Sequence, residues 1–155
     1  MRTIWNPLAL CAFFALSSVG PTMAASLDFA SHPAAERYAG PNAELVLKSK
    51  QDRAFRTRLR EAAKQTPNFA GHYIVTTFGC GSSCVMGAVI DARSGLVTWL
   101  PFTVCCWKDA QSEPVEFRPD SALMIVRGMR NEQERGTFYY VLQKGRLRPI
   151  AKRPE

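Results

Sequence analysis

The chain has 155 residues, 46% of them hydrophobic, and a formal net charge of +7. This length is typical of one domain with a single core. No stretch is apolar for long enough to cross a bilayer as a retained helix. The positive charge favours anionic partners such as envelope polymers or acidic proteins.

The first residues have the organisation of a signal peptide. Arg2 precedes an apolar run over residues 8–16, and Thr22 and Ala24 place small side chains at the −3 and −1 positions of a cleavage site. The run is about half the length needed to span the hydrocarbon. We therefore expect a signal peptide over 1–24, a mature domain over 25–155 without a transmembrane segment, and a periplasmic or secreted location.

One amphipathic helix is predicted after an extended arm. Residues 25–47 are broken by prolines and glycines, which favours an arm on the surface. Ser49 and Asp52 form a capping pattern, and Pro67 provides the stop, so the helix is expected over 49–66. Phe55 and Leu59 lie on its apolar face. The opposite face is basic and is a candidate surface for phosphates or carboxylates; its residues are Arg53, Arg56, Arg60 and Lys64.

The rest of the mature chain is β-like. Short apolar runs separated by turn residues fill 71–150. They predict two three-stranded meanders, with strands at 72–78, 85–91 and 96–100 in the first and 123–126, 138–142 and 146–150 in the second. Residues 115–117 are a candidate edge strand. The fold class is α+β: an antiparallel sheet of about six strands with the helix packed on one face, stapled by disulfides.

Four cysteines remain after the leader takes Cys11 with it, which favours disulfides in an exported chain. Cys105 and Cys106 are adjacent, and neighbouring Cα atoms about 3.8 Å apart strain a vicinal bond. Two crossed bridges from Cys80 and Cys84 to this pair avoid that strain and are favoured. A local Cys80–Cys84 bridge is the alternative.

A redox site and a metal site are the two chemical alternatives to structural disulfides at these cysteines. An exchanging Cys80/Cys84 dithiol would be a redox site, although no helix follows either cysteine to depress a thiol pKa. A four-thiolate metal site lacks paired C-x-x-C knuckles, so no metal is expected. No cofactor motif is present, and neither a cofactor nor a nucleic-acid partner is expected.

The loops at one end of the sheet form a candidate binding rim. The Cys-bounded loop and the segment after Cys106 are expected to share an edge with the equivalent loop of the second meander. The rim residues are Gly81, Ser82, Ser83, Trp107, Arg127, Arg130 and Asn131.

Three segments of the chain are similar to segments of a known protein family. Asn-Phe-Ala-Gly-His-Tyr-Ile-Val at 68–75, Gly-Cys-Gly-Ser-Ser-Cys at 79–84 and Gly-Ala-Val-Ile-Asp at 87–91 resemble a family of small secreted proteobacterial proteins. The similarity extends to the helix around 55–61 and to 116–121. It implies membership of that family and no particular activity.

The layout is also similar to that of the periplasmic inhibitor of vertebrate lysozyme. That fold runs helix, strand, Cys-bounded loop, strand, turn, strand, and its Cys-bounded loop enters the lysozyme cleft. The resemblance implies an inhibitor as one form of binding module. We therefore expect a non-enzymatic binding or inhibitor module for a protein or an anionic envelope partner, with a thiol–disulfide redox protein using Cys80 and Cys84 as the alternative.

Overall fold

The computed structural model describes residues 27–35, 37–108 and 112–154. The predicted signal peptide and its cleavage site lie outside these residues. The described part is mostly antiparallel sheet with two short helices on one side. None of its helices has the length and apolar character required to cross a bilayer.

Eight strands make up the sheet in the described residues, where about six were expected. They are β1 (Tyr73–Gly81), β2 (Cys84–Asp91), β3 (Val97–Trp99), β4 (Val104–Cys105), β5 (Val115–Phe117), β6 (Leu123–Arg130), β7 (Glu134–Gln143) and β8 (Arg146–Arg153). Strand β5 is the candidate edge strand. Strand β4 was missed because two residues are too few to show an alternating pattern.

The sheet consists of two meanders joined by β4. Strands β1, β2 and β3 pair in sequence, as do β6, β7 and β8, and all pairings are antiparallel. Strand β4 pairs with β2 on one side and β6 on the other, and β5 adds to β6. The order is therefore β1-β2-β4-β6-β7-β8, with β3 and β5 beside it.

The core has three layers because the two meanders face each other. Val89 of β2 and Phe138 of β7 belong to one central apolar cluster, so the inner faces of the meanders share it. The helical segment covers the outer face of the first meander, where Leu59 packs against Ile74 and Ile90. The arm, through its partly buried apolar side chains at 27 and 29, covers the outer face of the second.

The helix is shorter than predicted and is divided in two. It forms α1 (Lys50–Ala54) and α2 (Arg56–Ala62), with Phe55 at φ −102° and ψ 16° between them. The break lets the Phe55 ring pack 5.2 Å from Phe78 and 5.3 Å from Trp99, measured between centroids. The expected end at 66 is wrong: the side-chain amide of Asn42 donates to the carbonyls of residues 63 and 65 and closes the helix earlier.

The predicted capping box is present and also joins the helix to the sheet. The Ser49 hydroxyl accepts from Asp52 N–H, and Asp52 Oδ2 accepts from Ser49 N–H. Asp52 Oδ1 also accepts from Trp99 Nε1 of β3 at 2.8 Å. Burial alone would raise the pKa of Asp52. The bond that the Ser49 hydroxyl donates to Asp52 Oδ1 at 2.6 Å, with those from Ser49 N–H, Trp99 Nε1 and Lys48 N–H, outweighs burial and lowers the pKa from 3.8 to about 2.

Replacing this carboxylate tests its role. We expect Asp52→Asn to lower the free energy of unfolding by about 2 kcal/mol at pH 7, because donors are left without a charged acceptor. Because the folded-state pKa is depressed, the contribution of Asp52 is present above about pH 4 and is lost as the pH falls towards 2. Urea unfolding of both proteins between pH 7 and pH 2.5 measures this.

The matched control is Glu61→Gln, which removes an exposed carboxylate paired only with Lys64. It should change the unfolding free energy by less than about 0.5 kcal/mol. Equal pH dependence in wild type and Asp52→Asn would contradict the assignment.

Candidate functional site

Three loops meet at one end of the sheet because of the pairing through β4. Cys84 of β2 lies directly opposite Cys105 of β4, and Val104 lies opposite Arg130 of β6. The β1–β2 tip, the segment after β4 and the β6–β7 tip therefore adjoin. This end holds the predicted rim residues Gly81, Ser82, Ser83 and Asn131.

The disulfide pairing differs from the favoured one. Cys80 is bonded to Cys84 across the β1–β2 tip, with Cα atoms 5.1 Å apart, and Cys105 and Cys106 are free thiols. The crossed pairing is therefore wrong, and the local alternative is the one present. A bulge between Gly79 and Gly81 brings Cys80 across from Cys84 at a normal disulfide separation.

The two free cysteines form a thiol pair. Cys106 has a left-handed backbone (φ 56°), and its Sγ lies 2.8 Å from Cys105 Sγ. The hydrogen bond with Cys106 and partial burial raise the pKa of Cys105 to about 11. Cys105 is therefore a protonated thiol at neutral pH, and its reactivity as a nucleophile is low there.

Hydrogen bonds hold the β6–β7 tip to the neighbouring loop. Asn131 N–H donates to the Thr103 carbonyl, and Thr103 N–H donates to Asn131 Oδ1, each at 2.9 Å. Arg135 Nη1 donates to the Cys106 carbonyl at 2.8 Å. These contacts order the two loops relative to each other without a covalent link.

Trp107 lies over Gly128 of β6. A Cβ at Gly128, where φ is 127°, would come within 2.5 Å of the Cys105 carbonyl oxygen and 3.3 Å of Trp107 Cβ. Only glycine permits this close approach of β4. Trp107 Nε1 is shielded from solvent and has no hydrogen-bond partner within the described residues.

The two rim arginines are in a strand and not in a loop as expected. Strand β6 runs on to residue 130, so Arg127 and Arg130 belong to it. Arg127 pairs with Glu116 at 2.7 Å. Arg130 pairs with Glu134, donates to Tyr140 Oη at 2.9 Å and lies over the Phe138 ring. Both charges are therefore neutralised inside the domain, whereas Asn131 is at the exposed tip.

The exposed tip of β1–β2 is polar and uncharged. Gly81, Ser82 and Ser83 are all exposed, and Ser83 is left-handed with φ 52°. The bulge between Gly79 and Gly81 and the Cys80–Cys84 disulfide constrain the backbone of this tip. The tip therefore offers backbone and hydroxyl groups in a fixed arrangement.

The basic helix face is exposed and separate from the rim loops. Arg53 and Arg56 donate to backbone carbonyls of their own segment, and Lys64 pairs with Glu61 at 2.8 Å. Arg60 forms no side-chain hydrogen bond or ion pair with a described residue. This face has the features of a solvated surface. No described group of three or more His, Cys, Asp or Glu residues is arranged to hold a metal ion.

Comparison with protein-family models, with curated proteins and with solved structures found no match. The resemblances drawn from the sequence therefore stay predictions.

Alkylation of the purified protein tests the cysteine arrangement. Without reductant, we expect iodoacetamide to label Cys105 and Cys106 only, and after reduction to label Cys80 and Cys84 as well. Labelling of Cys105 should be slow at pH 7 and should rise about tenfold per pH unit, because only the thiolate reacts. Peptide mapping by mass spectrometry identifies each labelled site.

A Cys106→Ser variant is the control for the thiol pair. Removing the neighbouring thiol should lower the pKa of Cys105 and speed its labelling at pH 7. Protection of all four residues until reductant is added would contradict the free thiols of Cys105 and Cys106, and a Cys80 or Cys84 peptide linked to a Cys105 or Cys106 peptide in the unreduced map would contradict the local pairing.

Proposed function

We propose that this chain is a non-enzymatic, exported binding module whose rim contacts a partner in the cell envelope. The observation that carries the proposal is the ordering of three loops at one end of the sheet. The β2–β4–β6 pairing, the Cys80–Cys84 bond and the Asn131–Thr103 pair hold them. Ordered loops lose little conformational entropy on binding, so their contacts contribute fully to affinity.

The charges of the rim favour a protein partner over an anionic polymer there. Arg127 and Arg130 already pair with Glu116 and Glu134, so neither is available as a free cation. The exposed groups are the hydroxyls and backbone of Ser82 and Ser83 and the side chain of Asn131. Such polar groups recognise a protein surface by directed hydrogen bonds. An inhibitor of a lytic enzyme is one form of this function.

The β1–β2 tip provides the test. We expect Ser82→Glu to weaken sedimentation of the purified protein with isolated cell envelopes about tenfold, because an unpaired charge is desolvated at the contact. Gln65→Glu adds the same charge at an exposed position after the helix and should bind as wild type does. A lysozyme lysis assay with the same variants tests the inhibitor form.

Protease treatment of the envelopes distinguishes the partner class. Binding to a protein partner should disappear after treatment. Undiminished binding to treated envelopes, with no effect of Ser82→Glu, would contradict a protein-binding rim.

A thiol–disulfide function is the second candidate, and one observation favours it. Residues directly opposite in antiparallel strands project to the same face, so Cys105 lies beside the disulfide at Cys84. A Cys105 thiolate attacking Cys84 Sγ would form a Cys84–Cys105 bond and release the Cys80 thiolate. A substrate thiol can attack the exposed disulfide in the same way.

Reduction of insulin by dithiothreitol tests this candidate. If the disulfide takes part, the wild type should accelerate the reaction and Cys84→Ser should abolish the acceleration. In this assay dithiothreitol reduces the Cys80–Cys84 disulfide, and a thiolate formed there attacks an insulin disulfide. Cys105→Ser would retain the acceleration if dithiothreitol and insulin react directly with Cys80 and Cys84, and would lose it if Cys105 is required. Ser83→Ala, a conservative change between the bonded cysteines, is the control. Equal rates with wild type and Cys84→Ser would exclude this function.

A further inference from the structure

Two adjoining cavities lie at the end of the sheet opposite the rim. Strand β2 runs from Cys84 at the rim to Asp91 at this end. The first cavity, of about 320 Å³, lies between the β2–β3 region and the β7–β8 turn. The second, of about 440 Å³, shares Thr98 and Arg146 with the first and continues along β3 and β8. We call the two together the β3–β8 cleft.

The cleft lies between two strand edges, on β3 and β8, that do not pair with each other. Strand β3 pairs with β2 and with no other described strand, and β8 pairs only with β7. Val97–Trp99 on one side and Arg146–Arg148 on the other line the same cavity without pairing. The volumes are in the range that binds small molecules.

Three cations line the cleft and outnumber its one described carboxylate. Lys144, Arg146 and Arg148 are exposed, and none forms an ion pair or a side-chain hydrogen bond with a described residue. The one carboxylate among the described lining residues is Asp91. Its oxygens already accept from Arg93 N–H and Ser94 Oγ, each at 2.9 Å. The positive charge of the cleft is therefore not satisfied internally.

Two hydroxyl donors add to the cations. Tyr73 and Thr98 line the first cavity, and neither side chain makes a hydrogen bond to a described residue. Burial raises the pKa of Tyr73, which keeps its phenol protonated and able to donate. Hydroxyl and guanidinium donors around one space are the groups that bind phosphate and carboxylate oxygens.

The second cavity has an apolar wall. Val97, Trp99, Pro101 and Leu147 line it. The Trp99 ring itself packs on the helix side of β3, 5.3 Å from the Phe55 ring, and its Nε1 donates to Asp52 at 2.8 Å. An apolar wall beside cationic groups suits a ligand with an apolar part next to its charged group.

We propose that the β3–β8 cleft binds a small organic oxyanion, with its phosphate or carboxylate beside Lys144 and Arg146 and its apolar part against the wall that includes Pro101 and Leu147. This site is distinct from the rim and does not depend on the function proposed for it. Arginine binds both oxyanions through paired N–H donors, so the geometry fits either chemistry.

Titration by NMR of the exported protein with four probes tests the proposal. Phenyl phosphate and benzoate carry an oxyanion and a ring, inorganic phosphate the oxyanion alone, and benzyl alcohol the ring alone. We expect amide shifts confined to residues 96–99 and 144–148. We also expect phenyl phosphate or benzoate to bind at least about fivefold more tightly than inorganic phosphate or benzyl alcohol. The tighter of the two ring-bearing anions identifies the oxyanion that the cleft prefers.

Substitutions test which residues bind the anion. Arg146→Gln should weaken binding of the preferred anion about tenfold, which is the effect of losing one charge-assisted contact. Arg60→Gln removes an equally exposed cation from the helix face and should leave binding unchanged. Ser82→Glu should also leave it unchanged, which separates this site from the rim. Equal affinity of wild type and Arg146→Gln, or shifts confined to the helix face, would overturn the proposal.

Discussion

The two-residue strand β4 is the constraint on which the rest of the structure depends. Val104 is 1% exposed and lies in the central core, and its backbone pairs with Val85 of β2 and Arg130 of β6. These pairs join the two meanders into one sheet, and backbone bonds from Ala70 and Gly71 to residues 118–121 add a second connection at the other end. The close approach needs glycine at 128, where the β4 backbone passes within contact of β6. The pairing of this short strand therefore determines how the inner faces of the two larger meanders meet.

The position of β4 makes the two ends of the domain different. Near β4 the meanders are continuous, so loops from both are ordered beside each other. At the other end no described strand lies between β3 and β8, and the inner faces open into a cleft.

The pairing of the cations also differs between the two ends. Arg130 near β4 pairs with Glu134 and packs on Phe138, whereas Arg146 at the open end pairs with no carboxylate of the described residues. Cations at the joined end therefore support the fold, and those at the open end remain available to a ligand.

Local features of the sequence predicted local structure well. The Ser49/Asp52 capping pattern, the apolar face with Leu59 and the meanders around glycine turns are all present, because short-range hydrogen bonding and side-chain periodicity determine them. Features that depend on contacts between distant segments were missed. Strand β6 was expected to end at 126, because the polar Arg127 and the Gly128 that follow break the apolar pattern. In the fold, Gly128 permits the contact with β4. The Lys144-Gly145-Arg146 turn was recognised, but the cleft that it lines needs β3 from the other meander.

The loop arrangement shows why the cysteine count misled the sequence interpretation. Four cysteines in a chain that was expected to be exported suggested that disulfides hold the two loops together. In the structure, hydrogen bonds do this: Asn131 pairs twice with Thr103, and Arg135 binds the Cys106 carbonyl. The single disulfide closes only the β1–β2 tip, which the bulge at Gly79–Gly81 already shapes. Because no covalent bond joins β2 to β4, the relation between the loops rests on the β4 ladder. The thiols of Cys105 and Cys106 are thereby left unbonded beside the disulfide, where a structural bridge would have used them.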